Sequence, residues 1–209
     1  QNDSIRLKQA YKTIMQVMTF IVFPTLLIFA ALAELIFRAF LPEKWLPSVA
    51  YLQLMCISSL VIPIISINLN IIKIKGFSGW YLILEIIKKI SGFIALFFTF
   101  EYGVSAILFG QILSQGLNYY PSVYFSNKLV SYSFYQQFKD FVPNLLLSVF
   151  IAFLVWSMQF LLNYPPLIEL VMLGTLSLAM FVGCAFILKL ESLSLTLQMI
   201  KKLTSDKKN

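Results

Sequence analysis

Six stretches of this chain hold roughly 20 mostly apolar residues in succession, the length a helix needs to cross the hydrocarbon core of a bilayer. They run about 14–40, 50–74, 79–100, 103–127, 143–162 and 166–188. The 209 residues are 59% apolar and only 12% charged, more apolar surface than a water-soluble fold of this size can bury. Inside lipid every backbone polar group needs a partner within the chain, so such runs become helices. The expected fold class is an all-α integral membrane protein of about six transmembrane helices. Pro42 and Pro47 punctuate the first gap, and Gly76 and Gly79 the second. Glu101 with Gly103 makes the third, and Asn163-Tyr164-Pro165-Pro166 the last.

Two further stretches read as interfacial. Residues 131–142 place Phe134, Phe138 and Phe141 on one face, with Ser133 and Gln136 in capping-box spacing. From Leu190 onward, Leu193, Leu197 and Ile200 share a face, followed by Lys201, Lys202, Lys207 and Lys208. The expected organisation is therefore four helices in 1–128, an interfacial helix at 129–142, two peripheral helices in 143–190 and a basic tail at 191–209. The helical pattern starts at once, where Asn2, Asp3 and Ser4 offer N-caps, so the chain reads as part of a longer polytopic protein. Twelve basic residues fall on one side of the spans: Arg6, Lys8, Lys12, Lys73, Lys75, Lys128, Lys139, Lys189 and the four tail lysines. The other side holds only Arg38 and Lys44, together with Glu43, Glu101 and Glu169. Basic loops stay in the cytoplasm, so both ends are expected there.

The third span reads WYLILEIIKKISG and carries Glu85, Lys88 and Lys89 at i, i+3 and i+4, on one broad helix face. Charges this deep are costly and mark a bundle interior or a watery path. One Glu pairs with one Lys and leaves a surplus positive charge that suits water or an anion. A snorkelling lysine is the competing reading, because Lys89 lies only about ten residues, roughly 15 Å, into its helix. The second span has a stripe of Cys56, Ser59, Pro63, Ser66, Asn70 and Lys73, and the fourth one of Gln111, Ser114, Gln115, Asn118 and Ser122. Such stripes either glue helices together or line a cavity. Glu34 and Arg38 stand at i, i+4 near the outer end of the first span. The fifth and sixth spans have few polar residues and read as lipid-facing.

The composition also excludes classes. Without histidine, a Ser/His/Asp set and the commonest metal ligand are missing. There is no Gly-rich phosphate loop of the Walker type. Cys56 and Cys184 sit in separate apolar runs and read as small apolar residues. No cofactor or metal is called for, and an enzyme is not expected. The net charge of +7 belongs to the loops, and the 20 Phe lie mostly in the apolar runs, so nucleic acid is not an expected partner.

The run EKWLPSVAYLQLMCISSLVIPIISINLNIIKIKG, followed by LEIIKKISG, resembles the second half of polysaccharide flippases of the Wzx type. The lead-in RLKQAYKTIMQVMTFIVFP and the stretch from Glu101 to Leu129 are similar to the same branch, which exports lipopolysaccharide, colanic-acid and teichuronic-acid precursors. That resemblance implies a two-lobed, MATE-like bundle of which this chain would be the later part, lacking the first lobe. It implies movement of polyprenyl-diphosphate-linked oligosaccharide across the cytoplasmic membrane by alternating access. Its partners would be that lipid-linked glycan, membrane lipids, the missing lobe and other polysaccharide-assembly proteins. Lys88, Lys89, Glu85, Asn70, Lys73, Gln111, Gln115, Asn118 and Arg38 would then line the path. A multidrug or metabolite exporter of the same superfamily, a membrane enzyme such as an O-antigen polymerase, and a purely structural subunit are the rival readings.

Overall fold

A computed structural model describes residues 2–162 and 164–206, with side chains for 6–162 and 164–201. The expected cap at Asn2, Asp3 and Ser4, the turn residue Asn163 and the tail lysines Lys202, Lys207 and Lys208 lie outside the residues whose side chains are described. The described residues are helical with no strand. Four helical stretches are long and apolar enough to cross a membrane: Arg6–Ala31, Glu43–Ile74, Phe134–Met158 and Pro166–Ile187. Two more have the length but fall short in composition. Helix Ser78–Thr99 carries the three charges 85, 88 and 89, and helix Val104–Val130 is diluted by its Gln, Ser and Asn residues.

The first expected span is two helices, α1 (Asn2–Ala31) and α2 (Ala33–Phe40). The ladder continues across the joint, since Leu32 N–H donates to Ile28 O and Ile36 N–H to Leu32 O. The second span is also two, α3 (Val49–Ser59) and α4 (Ile62–Ile74). The break precedes Pro63, whose ring excludes the carbonyl one turn earlier. Gly76, at φ +80°, then closes α4, with Phe77 N–H reaching back to Ile72 O. Helix α5 (Ser78–Thr99) turns through Gly103, at φ +85°, into α6 (Val104–Val130).

The segment expected to form a separate interfacial helix opens a longer one. Ser133 and Gln136 do form the capping box, and the helix they start, α7 (Phe134–Met158), runs through Pro143 without a break. Helices α8 (Pro166–Ile187) and α9 (Glu191–Asp206) follow. The largest helix–helix contact joins α1 to α7. Ile151 and Val155 of α7 are fully buried. Helix α8 is the least buried of the four apolar helices.

Two apolar cores result. One gathers Tyr11, Met15, Phe23, the inner isoleucines of α4 and Phe141. The other joins Phe20, Ile28 and Leu35 to Leu147, Leu173 and Phe181. Helices α5 and α6 form an outer hairpin, and α5 buries only Leu84. Trp80 and Tyr81 pack partly buried against the first core, while Phe93, Phe97 and Phe98 further along stay exposed, as suits a surface whose solvent is lipid or another protein.

Candidate functional site

On α5 the charged triad divides. Lys88 is half-buried on the face turned toward α6, and its Nζ lies 3.8 Å from Glu85 Oε1. Lys89 stands about 100° further round the helix and is exposed, with no ion pair among the described residues. One lysine is thus restrained and the other free, although the sequence treats them alike.

One turn on, Ser91 binds α5 to α6. Asn118 Nδ2 donates to Ser91 Oγ at 2.8 Å, and Ser114 Oγ lies 3.0 Å from Ser91 Oγ. Asn118 and Ser114 are buried. Gln115 is half-buried, and its Oε1 has no hydrogen-bond partner among the described residues. Gln111 is exposed on the same helix. The stripe on α6 therefore contains both glue, at Ser114 and Asn118, and a buried acceptor without a partner among the described residues, at Gln115.

Asn70 and Lys73 project from the exposed side of α4. Together with Leu7, Ile14, Ile67 and Ile74 they line an apolar groove of about 310 Å³ between α1 and α4. Lys73 Nζ lies 5.7 Å from the Tyr81 ring centroid, within cation–π reach. Arg38 is exposed at the opposite end of the bundle, its Nη2 2.6 Å from Glu34 Oε1. The structure brings Glu85 and Lys88 together and places Asn70 and Lys73 along one groove. It leaves Arg38 remote from both groups.

A buried polar cluster lies beyond what the stripes indicate. Asn68 is fully buried, and its Oδ1 accepts hydrogen bonds from Tyr11, Ser126 and Gln137 Nε2, the last at 3.1 Å. Its own amide donates to Ile64 O at 2.9 Å and to Gln137 Oε1 at 3.2 Å. Helices α1, α4, α6 and α7 thus meet at one side chain. Beside it, Asp140 accepts from Tyr132 Oη and from Gln16 Nε2 at 3.0 Å, and lies 3.5 Å from Lys12 Nζ. Lys12 and Gln16 also reach Glu191 of α9 at 3.3 and 3.4 Å. Burial raises the Tyr132 hydroxyl well above its ordinary value, reinforced by the hydrogen bond to the Asp140 carboxylate. Hydrogen bonds from Lys12 and then Gln16 hold the Glu191 carboxyl below the usual range. Every polar group of the Asn68 side chain is satisfied, so Asn68 clamps the helices together, while Gln16 Oε1 beside Asp140 is buried without a partner among the described residues.

Residues 1–50 match the sequence model of a family described as polysaccharide biosynthesis protein. No curated protein matches the chain, and no solved structure does.

Proposed function

We propose that this chain is part of a transporter that moves polyprenyl-diphosphate-linked oligosaccharide across the cytoplasmic membrane for cell-surface polysaccharide assembly. The observation that carries the reading is the match of residues 1–50 to a polysaccharide biosynthesis family, in a chain with four helices able to span a membrane. The half-buried Glu85–Lys88 pair supports it. A lysine held in an apolar helix by one carboxylate can exchange that partner for an anionic diphosphate, with Lys89 adding a second positive charge nearby. The groove edged by Asn70 and Lys73 offers apolar walls to an isoprenoid chain and a cation to its headgroup. No covalent chemistry is needed for such a passage, only alternating exposure of the site to the two sides of the membrane.

In this account both ends of the chain are cytoplasmic, and a second lobe completes the cavity that the exposed face of α5 and α6 borders. Cells lacking the protein should accumulate lipid-linked oligosaccharide on the cytoplasmic leaflet and lose the surface polysaccharide. Normal surface polysaccharide with no such accumulation would contradict the proposal.

A further inference from the structure

The end of the bundle remote from the Asn68 cluster contains a polar cavity of about 430 Å³, formed where α2, the end of α7 and the start of α8 meet. Glu169 is one of its lining residues and is 5% exposed. Its Oε1 is buried and has no hydrogen-bond partner among the described residues. The position is in the first turn of α8, but no side chain caps that helix, so capping does not account for the carboxylate. Glu34 and Arg38, also in the lining, satisfy each other through two hydrogen bonds at 2.6 and 2.9 Å. The pair is neutral as a unit, and Glu169 leaves the cavity one negative charge in excess. Aromatic rings complete the lining: Trp156 and Phe160, whose centroids are 5.0 Å apart, and Tyr164.

A buried carboxylate without a donor is costly. Its complement is a group that brings both positive charge and hydrogen-bond donors. Aromatic faces beside the carboxylate favour an organic cation over a strongly hydrated metal ion, because the ring quadrupole attracts a cation with an apolar shoulder. We propose that this cavity binds a primary ammonium group, with Glu169 as its counter-ion and Trp156, Phe160 and Tyr164 as its walls. Two sources present that chemistry to a membrane protein, an aminoethyl lipid headgroup and an amino sugar. The site does not depend on the transport reading, and it stands or falls by binding alone.

The test uses the protein in dodecyl maltoside with Trp45→Phe and Trp80→Phe, which leaves Trp156 as the sole tryptophan. Ethanolamine and glucosamine, at a pH where both are protonated, should shift its emission saturably. Ethylene glycol, glucose and sodium chloride at matched ionic strength should not. Glu169→Gln should weaken the amine titrations about tenfold or more, as expected for a lost charged hydrogen bond. Equal shifts from the neutral congeners or from sodium chloride would overturn the proposal. So would an unchanged titration in Glu169→Gln. Should that variant fail to fold, comparing ethanolamine with ethylene glycol on the single-tryptophan chain that keeps Glu169 decides the question alone. Nanodiscs then separate the sources. If phosphatidylethanolamine in the disc abolishes the ethanolamine shift, the lipid headgroup occupies the site. If the shift persists, the amino sugar is the occupant.

Discussion

Tyr11 donates its hydroxyl proton to Asn68 across 57 positions of sequence, tying the first helix to the fourth inside the bundle. The acceptor atom is shared with Ser126 and Gln137, so the two partners are not equivalent. Tyr11→Phe removes one of three donors and leaves Asn68 satisfied, at a cost of about 1 kcal/mol. Asn68→Leu removes the shared acceptor: Ser126 Oγ keeps Val123 O and Gln137 Nε2 keeps Tyr132 O, but the Tyr11 hydroxyl and the second Gln137 N–H lose theirs, at a cost of about 1–3 kcal/mol for each that water cannot reach. Thermal unfolding in detergent should show a clearly larger loss for Asn68→Leu than for Tyr11→Phe. Equal losses would mean that Asn68 is not the hub.

A second prediction concerns the outer hairpin. A Cβ added to Gly110 would lie 2.9 Å from Thr99 Cγ2, closer than side chains pack. Gly110→Ala should therefore loosen α5 from α6 and destabilise the protein by about 1–3 kcal/mol. Thr99→Ser deletes the offending methyl and should restore part of the loss in the double variant. The absence of any rescue would show that the two helices do not cross there.

The docking of α9 carries a pH dependence. Lys12 and Gln16 hold the Glu191 carboxyl below its ordinary range, so it gives up its proton more readily in the folded chain than in the unfolded one. Such a group stabilises the docked helix above the ordinary carboxylate range, and the stabilisation is lost as pH falls through the depressed value. Protection from hydrogen exchange at 191–200, taken against the intrinsic rate at each pH, should fall on acidification, and Lys12→Met should remove most of that response. Protection that does not change with pH would contradict the bridge.

Much of this architecture is legible in the sequence, for a plain reason. Long apolar runs have one stable backbone conformation in lipid, so Gly76, Gly103 and the Ser133–Gln136 box mark real element ends. The break at Leu60–Val61 is legible in retrospect from Pro63, whereas the loosening at Leu32 has no such marker. The core polar cluster was not legible. Asn68 sits two residues from both Ser66 and Asn70, off the stripe that 3- and 4-residue steps pick out. Its partners on α6 and α7 are 58 and 69 residues away, beyond any local periodicity. Likewise the pattern groups Lys88 with Lys89, and only packing against α6 separates a half-buried ion pair from an exposed cation.

Orientation rests on the placement of basic residues. With Cys56 and Cys184 replaced, single cysteines at positions 75 and 102, both exposed, report the two sides. In intact cells an impermeant maleimide should modify position 102 and spare position 75. The opposite pattern would reverse the account's topology.

The central claim is that positive charge on α5 conveys an anionic lipid headgroup, and export of surface polysaccharide measures it most directly. The variant with Lys88→Arg and Lys89→Arg keeps both charges and should keep most of the export rate. The variant with Lys88→Gln and Lys89→Gln removes them and should lose most of it while remaining in the membrane at parental abundance. Parental export from the glutamine variant would contradict the claim.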